Sequence, residues 1–336
     1  MTFLLPIVLL LAGLVILYFG AEVLVDGASA IARAFGISPM IIGLTIVGFA
    51  TSAPEFVVSL LSAVFRDSPD VALGNVVGSN IANIVLIIGA SALIAPLAIE
   101  RGLLRRDLPM MIGIEALAVV FCATGAILAR SEAAALVAVL VLFLVLALRD
   151  ARRQSRETRE ARETGTLAAV ASDDLRHGRN ALKVFGGLVG LVIGADLMVR
   201  GAVDIATQFG ISQLVIGVTI VALGTSLPEL ATSLVAAFKG ESDISIGNIV
   251  GSNLFNTGFI LGGVGLIQPI PVHPQANAFD LPYMLLTALL LLPILLIGKQ
   301  IGRIKAALLL FAYAAYITMT WMLSVDRLAP PTLPWL

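Results

Sequence analysis

The chain has 336 residues, of which 59% are hydrophobic and 13% charged, and its mean hydropathy is +1.02. These values are typical of a polytopic membrane protein and exclude the two soluble domains that the length alone would allow. The net charge of −1 does not indicate nucleic-acid binding, and the single cysteine excludes a disulfide framework or a thiolate metal cluster.

A helix needs about 20 consecutive apolar residues to cross a bilayer. Ten segments approach or exceed that length, and we expect each to be a transmembrane helix. They are 4–30, 39–65, 71–94, 106–128, 131–149, 182–205, 213–238, 244–266, 281–299 and 304–324. No basic residue precedes the first segment and no small-residue cleavage site closes it, so we expect a retained helix and not a signal peptide.

The only strongly polar stretch, 149–183, separates the fifth segment from the sixth. Its alternating Arg and Glu residues would suit an exposed helix with paired charges, but we expect a solvated linker. The predicted domains are therefore a five-helix repeat (1–149), a cytoplasmic linker (150–182) and a second five-helix repeat (183–336). With this linker in the cytoplasm, 17 of the 21 basic residues fall on the cytoplasmic side, which predicts that both termini lie outside.

Two motifs occur twice. The sequence GLTIVGFATSAPE at 43–55 returns as GVTIVALGTSLPE at 217–229, and GNVVGSNIAN at 74–83 returns as GNIVGSNLFN at 247–256. The offsets are 174 and 173 residues. Since each half contains five spans, an odd number, the second half must be inverted relative to the first. Inverted repeats are typical of secondary transporters with a substrate site near the membrane midplane.

Each copy of the first motif places a glutamate, Glu55 or Glu229, in an apolar membrane segment. A charge at that depth costs roughly 2.5–3.5 kcal/mol on insertion scales. A duplicated acid that carries this cost is best explained by cation binding. Glu115 is a further intramembrane acid, but it has no matched partner and the sequence assigns it no role.

The spacing within the motifs places oxygen-bearing groups around the glutamates. Thr51 lies one helical turn before Glu55, and Ser79 lies one turn before Asn83. Pro54 and the matching Pro228 should interrupt their helices. Backbone carbonyls would thereby be freed near four residues: Gly48, Thr51, Ala222 and Thr225.

Hard oxygen ligands, about six to eight in a flexible shell, are the set that Ca²⁺ prefers, whereas zinc and copper would need nearby His or Cys. The glycines and asparagines at 74–75 and 247–248 are equally compatible with close helix packing.

At these residues the chain resembles the cation/calcium exchanger superfamily, in its sodium/calcium exchanger branch of prokaryotic type. The resemblance covers essentially the whole transmembrane part. It implies ten helices in an inverted five-plus-five repeat and Ca²⁺ extrusion driven by Na⁺ influx. We therefore expect an antiporter and not an enzyme, with no cofactor besides the transported ions and no nucleic-acid partner. The expected location is the prokaryotic plasma (inner) membrane.

The resemblance also implies roles for individual residues. The calcium ligands would be the carboxylates of Glu55 and Glu229 and the carbonyls of Thr51 and Thr225. The sodium ligands would be Gly48, Ser52, Ser79, Asn83, Ala222, Ser226, Ser252 and Asn256. Members of the family commonly carry an Asp at one of the two last positions of the second motif, whereas this chain has Asn83 and Asn256. The centre is therefore left with two formal negative charges.

The alternatives are a Ca²⁺/H⁺ or K⁺-dependent antiporter and, more remotely, a cation channel or a membrane scaffold. A channel would favour a continuous pore, usually lined by symmetric subunits. The neutral hydroxyls around the glutamates favour Na⁺ as the counter-ion, because a proton cycle would need only groups that titrate.

Overall fold

The computed structural model describes residues 4–65, 68–98, 100, 102–164, 177–209, 222–298 and 300–328. Within these residues the protein is an all-α polytopic membrane protein. In chain order, its helices longer than ten residues are α1 (Leu4–Phe35), α2 (Pro39–Phe65), α3 (Val71–Ile94), α4 (Leu103–Thr124), α5 (Arg130–Glu163), α6 (His177–Gln208), α7 (Leu227–Phe238), α8 (Ser242–Ile267), α9 (Ala276–Leu296) and α10 (Arg303–Leu328).

Nine of these described helices are long and apolar enough to cross a membrane. The shorter one, α7, covers the second part of the predicted span 213–238, and residues 213–221 of that span lie outside the described residues. Three helices begin at least three residues before their predicted spans, and one of them is α6, which begins at His177 and not at 182. Helix α4 begins at Leu103 and α9 at Ala276, because each starts with a π-helical turn that contains polar residues and lowers the local hydropathy.

Four two-residue strands connect the ends of the helices: β1 (Leu97–Ala98), β2 (Ile127–Leu128), β3 (Ile270–Pro271) and β4 (Gln300–Ile301). Strand β1 pairs antiparallel with β4, and β2 pairs antiparallel with β3. Paired strands lie on the same membrane face, so the chain must cross an even number of times between β2 and β3. Helices α5, α6 and α8 are long spans in that interval, and α7 is the remaining helix longer than ten residues that the structure describes there.

The inverted repeat is visible in how α1 packs against α6. A Cβ atom at Gly13 would lie 2.5 Å from the Met198 nitrogen, and one at Gly20 would lie 2.7 Å from the Leu191 nitrogen. The residue numbers in contact decrease along α6 as they increase along α1, so the two matched helices are antiparallel. Small residues allow this close approach of the two backbones.

The π-helical turns show the same repeat. The turn Ala82–Ile87 in α3 corresponds to Asn256–Leu261 in α8, and Leu103–Asp107 in α4 corresponds to Ala276–Asp280 in α9. The repeat thus extends beyond the two sequence motifs, through the first turn of the fourth helix of each half.

The first part of the expected solvated linker is the exposed helix with paired charges that its alternating Arg and Glu residues would suit. Helix α5 continues to Glu163 and carries two exposed ion pairs at helical spacing, Arg153–Glu157 and Arg156–Glu160, each at 2.8 Å. The pairs form because residues four apart share one helix face. Residues 165–176 of the linker lie outside the described residues.

Candidate ion-binding site

Both glutamates lie in the first turn after a helix interruption. Helix α2 is interrupted at Ser52, and the helical turn Ala222–Gly224 is separated from α7 by Thr225 and Ser226. Pro54 and Pro228 follow these interruptions directly. Because proline cannot donate a backbone hydrogen bond, the interruption is local to the carboxylates, as the sequence predicts.

The two carboxylates are buried and each is held by the opposite repeat. Glu55 is 1% exposed and Glu229 is fully buried. Ser226 donates to Oε1 of Glu55 across 3.4 Å, whereas Ser52 donates to Oε1 of Glu229 across 3.2 Å. Ser252 also lies 3.4 Å from Oε1 of Glu229. These reciprocal contacts bring the two copies of the first motif into one polar centre.

Two asparagines fix the threonines of the centre. The Thr51 hydroxyl donates to Oδ1 of Asn248 at 3.0 Å, and the Thr225 hydroxyl donates to Oδ1 of Asn75 at 3.3 Å. The same asparagines donate through Nδ2 to the hydroxyls of Ser233 and Ser59 respectively. The sequence left packing and a site role open for these asparagines, and the structure shows that each links one repeat to the other.

The second motif supplies the remaining polar groups. Ser79 lies 3.1 Å from the Ser226 hydroxyl, and Ser252 lies 3.2 Å from the Thr51 hydroxyl. Asn83 and Asn256 are 1% and 0% exposed.

Four buried oxygens in this centre have no hydrogen-bond partner among the described residues: Oε2 of Glu55, Oε2 of Glu229, Oδ1 of Asn83 and Oδ1 of Asn256. They form two matched pairs, with one member of each pair from each repeat. Burying an acceptor without a partner costs free energy, and a bound cation would remove that cost.

Two of the predicted residues contribute only backbone to the described geometry. The carbonyl oxygen of Gly48 lies 3.4 Å from the hydroxyls of Thr51 and Ser252. Ala222 begins the helical turn that precedes Thr225.

Sequence reasoning assigned no role to three further buried residues: Asn80, Asn253 and Glu115. The two asparagines were detectable, since both stand in the duplicated Gly-Ser-Asn run. Glu115 had no duplicate to identify it.

A cavity of about 500 Å³ lies beside the centre. It extends from Ser79 and Ser226 to Ala276 and Asp280, at the start of α9 and just after β3. Asp280 accepts a hydrogen bond of 3.1 Å from Tyr316. The cavity therefore extends from the centre toward the side of the protein where β2 and β3 pair.

Toward the opposite face, α2 and α8 are in close contact. A Cβ atom at Gly247 would lie 2.8 Å from the Met40 carbonyl oxygen, and one at Gly251 would lie 2.5 Å from the Leu44 carbonyl oxygen. The centre thus has a cavity on one side and tightly packed backbone on the other.

The arrangement suits a hard cation. Among the described residues no group of three or more His, Cys, Asp or Glu side chains could hold a metal ion. The centre instead combines two carboxylates with hydroxyl, amide and carbonyl oxygens, the types of ligand that bind Ca²⁺.

The chain is similar to known proteins over nearly its full length. The family described as sodium/calcium exchanger protein matches residues 5–149 and 180–322. The putative antiporter CaxA of Alkalimonas amylolytica is 41% identical, over 92% of this chain and 96% of that protein. The inner membrane protein YrbG of Escherichia coli is 36% identical, over 96% of this chain and 98% of that protein. Among solved structures, the sodium-calcium exchanger NCX_Mj soaked with 10 mM Na⁺ and 10 mM Sr²⁺ superposes with a TM-score of 0.80 at 29% identity, covering 94% of this chain and 98% of that one.

Proposed function

The chain belongs to the sodium/calcium exchanger family, and we propose that this integral membrane antiporter exchanges Ca²⁺ for Na⁺ by alternating access at a centre formed by Glu55 and Glu229. The family is one of transporters and not of enzymes.

One observation carries the proposal: four buried oxygens, two from each repeat, lack hydrogen-bond partners among the described residues. Two belong to carboxylates and two to amides, so together they present the negative charge and the neutral oxygens that a divalent cation needs. A scaffold protein would have no use for matched, unpaired acceptors at this depth, because they destabilise the empty fold.

Ca²⁺ would bind between Glu55 and Glu229, with the carbonyl oxygens of Thr51 and Thr225 as further ligands. Na⁺ ions would bind in the surrounding positions. These positions are Gly48, Ser52, Ser79, Asn83, Ala222, Ser226, Ser252 and Asn256. Because Ser52, Ser226 and Ser252 now donate to the carboxylates, they would turn their oxygens toward a bound ion when one enters.

Alternating access is supported by the unequal surroundings of the centre. The cavity beside Ser79 and Ser226 gives ions a route from one face, and the contact of Gly247 and Gly251 with α2 closes the other. If the first repeat became tightly packed and the second repeat opened a cavity, the same centre would be exposed to the opposite face.

The hydroxyls of the centre favour Na⁺ as the counter-ion. Hydroxyls do not titrate near neutral pH, so they could not carry the exchanged proton, whereas Na⁺ needs oxygen ligands of this kind. We therefore expect Ser52→Ala and Ser226→Ala each to raise the Na⁺ concentration for half-maximal Ca²⁺ flux by at least about fivefold, with the KM for Ca²⁺ changed by less than about twofold.

The measurement is Ca²⁺ flux into proteoliposomes under an imposed Na⁺, K⁺ or H⁺ gradient. Ser91→Ala is the control, since Ser91 is also fully buried but lies in the last part of α3. Ca²⁺ flux driven by a pH gradient and unaffected by Na⁺ would contradict Na⁺ coupling. Flux that requires K⁺ would favour the K⁺-dependent alternative.

We further propose that the protein lies in the prokaryotic inner membrane, with both termini outside and the linker in the cytoplasm. Three cysteines test this orientation in a Cys122→Ala background: Ser155→Cys, Gln275→Cys and Thr332→Cys. We expect the first to react with an impermeant thiol reagent only from the cytoplasmic side, and the other two only from outside. Thr332 lies outside the described residues. The opposite pattern would reverse the orientation.

A further inference from the structure

Glu115 on α4 is a buried acid that the proposed transport mechanism does not use. It is fully buried, and its matched position in the second repeat is Ala288, so it has no acidic counterpart. Oε1 of Glu115 accepts two hydrogen bonds of 3.1 Å, one from Nδ2 of Asn80 and one from Nδ2 of Asn253. Glu115 therefore binds the same residue of both copies of the second motif.

These two bonds help to fix which way each amide points, together with a bond of 2.9 Å from Asn80 to the Thr257 hydroxyl and one of 3.3 Å from Asn253 to the Asn80 carbonyl. A carboxylate oxygen without a proton can only accept, so it requires the NH₂ groups of Asn80 and Asn253 to face it. The oxygens of both amides must then point away, toward the centre. There Oδ1 of Asn80 accepts from Asn256 at 3.1 Å, and Oδ1 of Asn253 accepts from Asn83 at 2.9 Å.

The orientation of the Asn80 and Asn253 amides sets the orientation of the Asn83 and Asn256 amides in the centre. Because Asn83 and Asn256 use their NH₂ groups to donate outward, their own Oδ1 atoms are left without partners among the described residues. These are the amide oxygens assigned above to the ions. With the opposite orientation, Asn83 and Asn256 would present N–H donors to a cation, which would repel it.

We propose that Glu115 is a positioning residue of the ion centre, which holds Asn80 and Asn253 so that the carbonyl oxygens of Asn83 and Asn256 face the transported cation. This inference rests on the proposed function. It also gives a role to an acid in a chain where asparagine occupies both positions that would otherwise supply a third carboxylate.

Two variants of Glu115 test the role of its acceptor oxygen. Glu115→Leu removes the acceptor that both amides share, and each amide is then held only by one further oxygen, the Thr257 hydroxyl for Asn80 and the Asn80 carbonyl for Asn253. We expect this looser hold to raise the KM for Ca²⁺ by at least about tenfold, with the maximal rate changed by less than about threefold. Glu115→Gln keeps a carbonyl oxygen that can accept from both amides. We expect its KM to stay within about threefold of the wild type.

Thr287→Val is the control for a buried polar group in the matching helix α9, since the Thr287 hydroxyl donates to the Met284 carbonyl in its own helix. We expect a wild-type KM for this variant. A second measurement, the rise in melting temperature on addition of Ca²⁺, reports ion binding without transport. It should shrink in Glu115→Leu and persist in Glu115→Gln.

Two results would overturn the role of Glu115. One is a Glu115→Leu protein with a normal KM and a normal Ca²⁺-dependent melting shift. The other is an equal loss in Glu115→Leu and Glu115→Gln, which would show that the acceptor oxygen is not what matters. Absence of Na⁺-driven Ca²⁺ flux in the wild type would instead contradict the proposed function, and the melting shift would still decide the role of Glu115.

Discussion

Glu55→Gln and Glu229→Gln are each expected to reduce Na⁺-driven Ca²⁺ flux by at least about 100-fold while leaving membrane insertion intact. Each change removes one negative charge from a buried divalent site and replaces a carboxylate oxygen by an NH₂ group that repels the cation. Either glutamate should be indispensable, because each is held by a serine of the opposite repeat and supplies one of the unpartnered oxygens.

Glu22→Gln is the matched control for this pair. Glu22 is an acid within membrane helix α1, but its carboxylate lies 3.2 Å from Lys239 and outside the centre. We expect its flux to stay within about threefold of the wild type, since a partly exposed ion pair contributes little. Near-normal flux in Glu55→Gln or Glu229→Gln would refute the assignment of the centre.

Gly251→Ala adds only a methyl group, but we expect it to reduce stability or transport substantially. The new methyl group would lie 2.5 Å from the Leu44 carbonyl oxygen and 2.8 Å from the Leu44 carbonyl carbon. These are backbone atoms, which cannot move aside as a flexible side chain would. Overpacking of this kind costs about 1–3 kcal/mol, so we expect a lower melting temperature or a loss of flux of at least about tenfold.

Gly78→Ala is the same change at the matched position of the first repeat. Gly78 lines the cavity, and no described atom lies within 4 Å of its Cβ position. We expect this variant to keep the melting temperature and flux of the wild type. An equal loss of melting temperature or flux in Gly78→Ala and Gly251→Ala would contradict this difference. The structure places Gly251 against packed backbone and Gly78 at an open cavity.

The sequence predicted most of the fold, because hydropathy and the duplicated motifs depend on local composition. The positions of the spans, the helix interruptions at Pro54 and Pro228, and the inverted relation of the halves all follow from those patterns. The first turns of α4 and α9 were not predicted. The predicted spans begin just after Arg105 and Asp280, because charged residues lower the hydropathy of a window although the backbone there is helical.

The duplicated motifs pointed to most residues of the candidate site, but they could not predict the hydrogen bonds between those residues. Spacing shows that Thr51 and Glu55 share a helix face, yet it cannot show that Ser52 binds the glutamate of the other repeat. The role of Glu115 was the hardest to predict, because it depends on contacts with two asparagines that are distant in sequence. Asn80 lies more than 30 residues before Glu115, and Asn253 lies more than 130 residues after it. Only the fold brings these three side chains together.

Isotope counterflow in the wild-type protein tests exchange itself. Vesicles are loaded with unlabelled Ca²⁺, with Na⁺, or with neither, and the uptake of labelled Ca²⁺ from outside is followed. We expect rapid uptake into vesicles loaded with Ca²⁺ or Na⁺, and almost none into vesicles with neither, because the centre must return carrying an ion. Equal uptake into all three, as through a channel, or uptake into none would contradict antiport at the Glu55 and Glu229 centre.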